Sequence, residues 1–405
     1  MAETQMVEEV IRPPQPPGPV KWVRDNLFNN WFNSLLTVVL LPVVFFALVQ
    51  VVMWVFIEAD WEAVTRFPLL YAVGQYPREE LWRVGLGLSG IILLLGMSWG
   101  KWGGLLRSIS IIIGVVFALF ALLPVQHPAL NVSMRAYLGA NVLLILAGYW
   151  IGRLASVKGI HIILGWAIIP FVFVFLLTGI GGSELLPSVA TTFWGGLLVT
   201  FLLSAGGIIL SFPIGVALAL GRRSTLPVVK GFSIVTIEMV RGVPLITILF
   251  MFSIILALFL PADSRIDRLV RALMGITVFS AAYTAENVRG GLQAVPPGQI
   301  EAAKAVGMNG FQTMLLIVLP QALRAVLPAI VGQFIALFKD TTLVVIVGIN
   351  DLLGIGRSII NSDPEYVQLQ LEVYLFIALI YWIFSYLMSA ASSRLETALG
   401  VKTRL

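Results

Sequence analysis

The chain has 405 residues, of which 59% are hydrophobic and only 12% are charged, and its formal net charge is +5. Ordinary soluble domains carry about 25% charged residues, so this composition excludes them and predicts a polytopic membrane protein. The chain has no cysteine and only two histidines, which excludes a disulfide framework, a thiolate metal site and an imidazole-rich metal centre.

The N-terminal segment, residues 1–34, is polar and rich in proline, with Pro13, Pro14, Pro16, Pro17 and Pro19. It cannot bury a hydrophobic core, so we expect an extended tail. The first apolar run begins near Leu35 and is long enough to span a membrane by itself, which argues against a signal peptide.

Ten apolar runs along the chain are predicted to cross the membrane. A span needs about 20 mostly apolar residues, and inside lipid the backbone has to satisfy its own hydrogen bonds, so each run is predicted to be a helix. The fold class is therefore an all-α polytopic membrane protein of about ten helices. The predicted spans are 35–57, 81–98, 106–124, 136–152, 160–182, 193–220, 233–260, 269–288, 323–347 and 370–391.

The distribution of lysine and arginine predicts the orientation of these spans. If the N-terminus is cytoplasmic, the inside segments hold 17 of these residues and the outside segments hold 8. This bias follows the positive-inside rule, so both termini and the segment after residue 288 are predicted to be cytoplasmic. The same distribution accounts for the net positive charge without a nucleic-acid partner.

The cytoplasmic segment Glu301–Pro320, EAAKAVGMNGFQTMLLIVLP, is polar and helix-prone and lies between two long apolar runs. A membrane protein has little reason to keep such a loop unless something outside the bilayer grips it. The segment resembles the EAA signature of ABC importer permeases, EAA-x3-G-x9-I-x-LP. The match holds at every named position of the signature: Glu301, Ala302, Ala303, Gly307, Ile317, Leu319 and Pro320.

The resemblance extends over about half the chain. From about Phe193 onward, several stretches resemble the five-helix type I permease core of polar amino-acid ABC importers, among them IEMVRGVPL at 237–245 and AAYTAENVRGG at 281–291. The layout resembles the larger permease of general L-amino-acid systems, in which an N-terminal extension precedes the core. The expected organisation is a tail at 1–34, an extension of about five spans at 35–190, and a core at 191–405 with a coupling loop at 289–322.

The resemblance implies the partners and the location. The chain is expected to be the permease of an importer with two copies of an ATPase subunit, a sister permease in a heterodimer, and a periplasmic amino-acid-binding protein, in a bacterial inner membrane. ATP and Mg²⁺ are used by the ATPase, and this chain binds no cofactor. No G-x4-GK[ST] phosphate loop and no nucleophile–base pair occurs in the sequence, so the chain is expected not to be an enzyme.

The local sequence supports a short helix in the coupling loop. Pro296 and Pro297 prevent the preceding helix from continuing, and Gly307 is expected to end or bend the new one. The resemblance implies that this helix docks into a groove of the ATPase, and the alanines at 302, 303 and 305 would keep it slim. The alternative is an amphipathic helix lying on lipid.

Charged and polar residues near or within the predicted spans are candidates for the pathway or for gating: Glu238, Arg241, Glu286, Lys339, Asp340 and Thr341. Glu238 and Arg241 are three residues apart on one helix face and could pair, as a structural or gating pair or in contact with the solute. Glu286 could bond with Arg289 and support the helix bundle. Charges at membrane depth are costly, so Lys339 and Asp340, which could partly neutralise each other, either line the path or hold the permease interface.

Two alternatives to an amino-acid importer stay open at this stage. An ion-driven secondary transporter would need inverted repeats with discontinuous helices, and the two halves of the chain show no evident internal similarity. An ABC importer for another small polar solute, such as an opine, would carry the same signature.

Overall fold

A computed structural model describes residues 18–123, 127–259, 261, 266–398 and 400. This part of the chain is helical apart from short connections, which confirms the predicted all-α class, and its backbone pairing outside helices comprises two isolated bridges. The chain divides into two compact units, Met1–Asp60 and Trp61–Leu405. The predicted boundary between extension and core near residue 190 stays a prediction.

The first unit contains a short helix, Pro19–Leu27, and a long one, Trp31–Glu58. Asn30 caps the long helix, because its side chain accepts a hydrogen bond from the Asn33 amide at 2.8 Å. In the most apolar stretch of this helix no residue is buried within the structure, as expected for a surface that faces lipid. The prediction of an extended tail is wrong for residues 19–27. These residues form a helix, and Pro19 occupies its first turn. Pro13, Pro14, Pro16 and Pro17 lie outside the described residues.

The remaining long helices coincide with the predicted spans. Among the described residues, eight helices are long and apolar enough to cross a membrane, and one bent helix pair meets the same test. Besides Trp31–Glu58, the single helices are Arg78–Trp102, Gly104–Leu122, Val132–Arg153, Gly159–Thr178, Gly196–Arg222, Gly310–Val347 and Gln370–Thr397.

The helix Arg268–Ala294, here called the central helix, occupies the position of the predicted eighth span. It packs against the helices Gly196–Arg222 and Gly310–Val347, and its buried residues are mostly alanine, glycine, serine and threonine. Small residues allow neighbouring helix backbones to approach closely. A Cβ atom placed on Gly291 would lie 2.4 Å from the carbonyl oxygen of Ala322, so this contact requires glycine.

The predicted span 233–260 is not one continuous helix. The chain forms two helices there, Pro227–Arg241 and Leu245–Phe259, whose axes meet at 109°. The break lies at Gly242–Pro244, because proline disfavours the helical conformation in the residue before it and cannot continue the hydrogen-bond ladder.

Helices also occupy most of the range predicted as the coupling loop. The central helix continues to Ala294, a short helix follows at Pro297–Ala305, and the next helix begins at Gly310. We name Pro297–Ala305 the loop helix and Gly310–Val347 the long helix. The end of the structure that carries the loop helix is the loop-helix end, and the end that carries Gly196 and the helix Leu352–Ile360 is the opposite end.

We expect the contact at Gly291 to be intolerant of a methyl group. Gly291→Ala should destabilise the protein by about 1–3 kcal/mol, the usual cost of overpacking, because the methyl group meets helix backbone that cannot move aside. Gly290→Ala is the matched control, since a Cβ atom at Gly290 meets nothing within 4 Å. Thermal unfolding in detergent measures both variants, and equal midpoints would contradict the proposed close contact.

Candidate functional site

The loop helix begins at a proline pair. Pro297 occupies its first turn, where the missing N–H costs nothing because that group has no partner within a helix. Pro296 is extended and precedes it, so the chain leaves the central helix in a fixed direction. The sequence prediction of a helix that restarts after these two prolines matches this geometry.

A glycine-dependent motif ends the loop helix. The amide of Gly307 donates to the Lys304 carbonyl at 3.0 Å, and the amide of Met308 donates to the Ala303 carbonyl at 3.1 Å. These two bonds form a Schellman motif, which needs a left-handed residue at its corner. Gly307 supplies it with φ +83°, a conformation in which other residues are strained. The glycine of the signature therefore has a defined backbone role.

The next helix begins at Gly310, three residues after Gly307. The Asn309 side chain accepts from the Gln312 amide at 2.9 Å, and the Gln312 side chain accepts from the Asn309 amide at 3.0 Å. This reciprocal capping box satisfies two donors that would otherwise be free at the helix start. Both ends of the turn at 306–309 are thus held by hydrogen bonds, so the direction of the loop helix is fixed relative to the long helix.

The faces of the loop helix differ in exposure. Glu301, Ala302 and Ala305 are exposed, whereas Ala303 is buried with 4% of its surface accessible. Ala303 belongs to a buried cluster with Val318 and Val295, so its small side chain lets the loop helix lie against its own chain. Ala303 therefore faces its own chain, and the expectation that the alanines keep the helix slim for a partner's groove stays a prediction.

The last three signature residues lie within the long helix rather than in a loop. Ile317 is part of a wide π-helical stretch, Thr313–Val318, and Leu319 and Pro320 begin the regular helical part that follows. Pro320 has no N–H to donate, and a widened turn is one way for a helix to accommodate that loss. The Gln321 side chain donates to the Ile317 carbonyl at 2.9 Å and lies 3.2 Å from the Gln299 side chain of the loop helix.

A cluster of arginine and glutamate side chains lies at the loop-helix end. Glu286 of the central helix is bonded by Arg289, whose Nε lies 2.9 Å from both carboxylate oxygens. Arg222 and Arg241 each approach the same carboxylate at 3.6 Å. One carboxylate therefore joins the central helix, the helix Gly196–Arg222 and the helix Pro227–Arg241. We call Arg222, Glu238, Arg241, Glu286 and Arg289 the ion-pair network.

The predicted pairing of Glu238 with Arg241 is wrong, although both residues belong to the network. Glu238 instead pairs with Arg222 at 2.8 Å, and Arg241 faces Glu286 and stacks 5.5 Å from the centre of the Tyr283 ring. Contacts between helices have replaced the contact along one helix. The predicted bond between Glu286 and Arg289 is present.

Lys339, Asp340 and Thr341 lie where the long helix changes from α-helical to 3-10 geometry. Lys339 is exposed, Asp340 is partly exposed, and Thr341 is buried and donates to the Phe338 carbonyl at 2.8 Å. Among the described residues no ion pair joins Lys339 to Asp340, so the expected mutual neutralisation is not present as a contact. These three residues lie apart from the ion-pair network.

Sequence reasoning missed two polar clusters in the core. The Gln333 side chain bonds the Ser280 carbonyl at 2.7 Å and the Asn287 side chain at 2.8 Å, which fastens the long helix to the central helix. Gln333 interrupts a mostly apolar run, a signal that could have marked it.

No metal-binding group of three or more His, Asp or Glu side chains occurs among the described residues.

The second missed cluster surrounds Asp351 at the opposite end. This carboxylate is fully buried and accepts from the Gly354 amide at 2.9 Å and from the Tyr381 hydroxyl at 3.0 Å. Burial raises the pKa of the Asp351 carboxyl above its usual value, although these two hydrogen bonds oppose the change. Asp351 caps the helix Leu352–Ile360, which follows it directly.

Comparison with known proteins gives the family. The family described as binding-protein-dependent transport system inner membrane component matches residues 211–400. The inner membrane amino-acid ABC transporter permease protein YhdY of Escherichia coli is 36% identical over 392 residues, which cover 93% of this chain and 91% of that protein. The glutamate/glutamine/aspartate/asparagine transport system permease protein BztC of Rhodobacter capsulatus is 33% identical, covering 98% of this chain and 99% of that protein.

A shorter relative matches part of the chain. The probable glutamine ABC transporter permease protein GlnP of Bacillus subtilis is 36% identical over 203 residues, which cover 50% of this chain and 91% of that protein. This chain belongs to the family of binding-protein-dependent transport system inner membrane components, the permeases of ABC importers. It is therefore a membrane-embedded transport subunit rather than an enzyme, and the resemblance found in the sequence is confirmed.

Neutralising the shared carboxylate should loosen the three helices. Glu286→Gln is expected to increase amide hydrogen exchange across 227–241 about fivefold, since partly exposed ion pairs contribute up to about 1 kcal/mol. Glu238→Gln is the matched comparison with a smaller expected effect, because Glu238 pairs with Arg222 alone. Exchange that is unchanged in Glu286→Gln would show that the network does not hold these helices.

Proposed function

We propose that this chain imports polar L-amino acids as one permease of an ATP-driven importer. Relatives that match it over more than nine-tenths of their length carry names of amino-acid permeases, and one name specifies glutamate, glutamine, aspartate and asparagine. The family membership favours this function over an ion-driven secondary transporter.

The proposed location is a bacterial inner membrane, with both termini in the cytoplasm. The 17-to-8 bias of basic residues supports this orientation. This orientation would put the loop helix and the ion-pair network on the cytoplasmic side and the Asp351 cluster on the periplasmic side. A periplasmic binding protein would then deliver the solute at the opposite end from the loop helix.

The observation that carries the proposal is the exposed, rigidly held loop helix. Glu301 and Ala302 face outward, and the Schellman motif at Gly307 and the capping box at Asn309 fix the helix direction. We infer that this face docks on an ATPase subunit, two copies of which bind ATP and Mg²⁺. Glu301 can meet a basic side chain of that partner, and this chain supplies no group to the nucleotide.

Contacts between the loop helix and the core could transmit a movement of the loop helix to the membrane-spanning helices. Gln299 meets Gln321 of the long helix, and Gly291 meets the Ala322 backbone just beyond. Through Glu286, the central helix is bonded to Arg222 and Arg241 on two further helices. We propose that Glu238, Arg241 and Glu286 act in gating, because they hold the cytoplasmic ends of three helices together when the path is closed there.

A second permease completes the path in this proposal. Lys339 is exposed on the long helix, and a charge facing lipid would be costly. We infer that Lys339, Asp340 and Thr341 lie against the path or against a sister permease. A heterodimer is favoured because general L-amino-acid systems, which this layout resembles, use two different permeases.

Reversing the charge of Glu301 should separate the permease from its ATPase. With the chain expressed alongside its genomic neighbours, Glu301→Arg is expected to reduce recovery of the ATPase about tenfold, which corresponds to about 1.4 kcal/mol. Glu365→Arg is the matched control, because Glu365 is exposed at the opposite end. Recovery that is equal in wild type and Glu301→Arg would contradict docking through this face.

Uptake by proteoliposomes that contain the complete importer tests the solute class. We expect ATP-dependent accumulation of labelled glutamate or glutamine, with competition by aspartate and asparagine, because these amino acids are named for a relative that covers the full chain. Uptake of an opine that amino acids do not inhibit would show that the substrate is another small polar solute and not a polar amino acid. Uptake that persists on an ion gradient without ATP would overturn the ABC importer.

A further inference from the structure

Part of the extension packs within the core at the segment Trp61–Pro77, here called the linking segment. Residues of later helices of the extension, among them Val84, Phe173 and Leu177, also share a buried cluster with core residues. The linking segment contains two short helices, Glu62–Thr65 and Pro68–Val73, and follows the first unit directly. Ala63 and Tyr71 have 0% and 3% of their surface accessible, which is the burial of core residues rather than of a surface connection. The linking segment therefore packs as part of the core.

The buried side chains of the linking segment share a cluster with the opposite end of the core. Ala63 and Tyr71 pack in one hydrophobic cluster with residues of the helix Leu352–Ile360 and of the C-terminal helix Gln370–Ala398. The Tyr71 ring meets the Phe376 ring edge-on, with centroids 5.1 Å apart. The Arg66 guanidinium lies 3.0 Å from the Tyr366 hydroxyl.

The backbones form a continuous seam at the same place. The Gly195 amide donates to the Val73 carbonyl at 3.2 Å, and the Gly196 amide donates to the Asn350 carbonyl at 2.9 Å. A Cβ atom on Gly196 would lie 2.2 Å from the Tyr71 carbonyl oxygen, so a side chain at this position would collide with the linking segment. Two hydrogen bonds thus connect the linking segment to the residue before Asp351.

Asp351 begins the helix that this seam supports. Its buried carboxylate caps Leu352–Ile360, and the Leu352 amide donates to the Thr200 hydroxyl at 3.1 Å. A further hydrogen bond joins the linking segment to a later part of the extension, where His127 Nε2 lies 2.7 Å from the Thr65 carbonyl oxygen. The start of the helix Leu352–Ile360 is therefore fixed from one side by the core and from the other by the linking segment.

We propose that the linking segment positions the helix Leu352–Ile360 and thereby shapes the end of the core that receives the solute. The identity of this end as the receiving end rests on the proposed function. The role assigns a function to the start of the extension: a transport core of this kind would lack the seam and the buried Tyr71 if the extension were removed. The linking segment is a positioning element and does not touch the solute.

Truncating Tyr71 tests this role in the reconstituted importer. Tyr71→Ala should raise the apparent KM for the solute-loaded binding protein at least about fivefold. Recovery of the ATPase should stay unchanged, because the loop helix lies at the other end. Tyr71→Phe should restore the wild-type KM, since it keeps the ring and loses only the 3.3 Å contact of the hydroxyl with the Ala63 carbonyl.

Tyr137→Ala is the matched control. Its hydroxyl bonds the Gly85 carbonyl at 2.8 Å, so it packs two helices of the extension together away from the linking segment. Similar KM values for Tyr137→Ala and Tyr71→Ala would overturn the positioning role, because the extension would then act only through general stability. Absence of ATP-dependent uptake in the wild type would instead contradict the proposed function.

A cross-link gives a second test, in which the double variant without cross-linker is the reference because Tyr366 is itself buried. The chain has no cysteine, so Arg66→Cys and Tyr366→Cys can be joined selectively with a bifunctional maleimide. If the linking segment stays fixed on the core, the cross-linked protein should transport at the rate of the same double variant without cross-linker. Loss of uptake on cross-linking, with recovery after a cleavable linker is cut, would show that the segment moves and would overturn the proposal.

Discussion

The arrangement of the core depends on the close contact between the central helix and the long helix at Gly291 and Ala322. Because a single methyl group at Gly291 would meet the opposing backbone, the two helices lie closer there than any side chain at that position would allow. The loop helix connects these two helices; the proline pair fixes its start, and the hydrogen-bonded turn at 306–309 fixes its end. Its exposed face is therefore presented by the helix packing rather than by a mobile loop.

The two ends of the core use different physical means to hold their helices. At the loop-helix end, partly exposed arginine and glutamate side chains meet at Glu286, and such contacts can break and re-form at low cost. At the opposite end, a buried carboxylate, a backbone seam and closely packed glycines leave little freedom. This contrast suits a protein in which a partner drives motion from the loop-helix end.

The extension is more closely joined to the core than its sequence suggests. Its composition carries no chemical motif, yet the linking segment places Ala63 and Tyr71 in the same buried cluster as the helix Leu352–Ile360. The matches to the YhdY and BztC permeases cover more than nine-tenths of this chain, whereas the match to the GlnP permease of Bacillus subtilis covers half of it.

Features that depend on local chemistry could be predicted from the amino-acid sequence. Apolar length predicted the spans, the proline pair at Pro296 predicted the start of the loop helix, and the position of Gly307 predicted its end. The tertiary structure decided which side chains meet. Glu238 pairs with Arg222 rather than with Arg241, and Ala303 faces its own chain rather than a partner. These contacts depend on the 109° bend and on the crossing of helices that are distant in sequence, so local sequence patterns cannot show them.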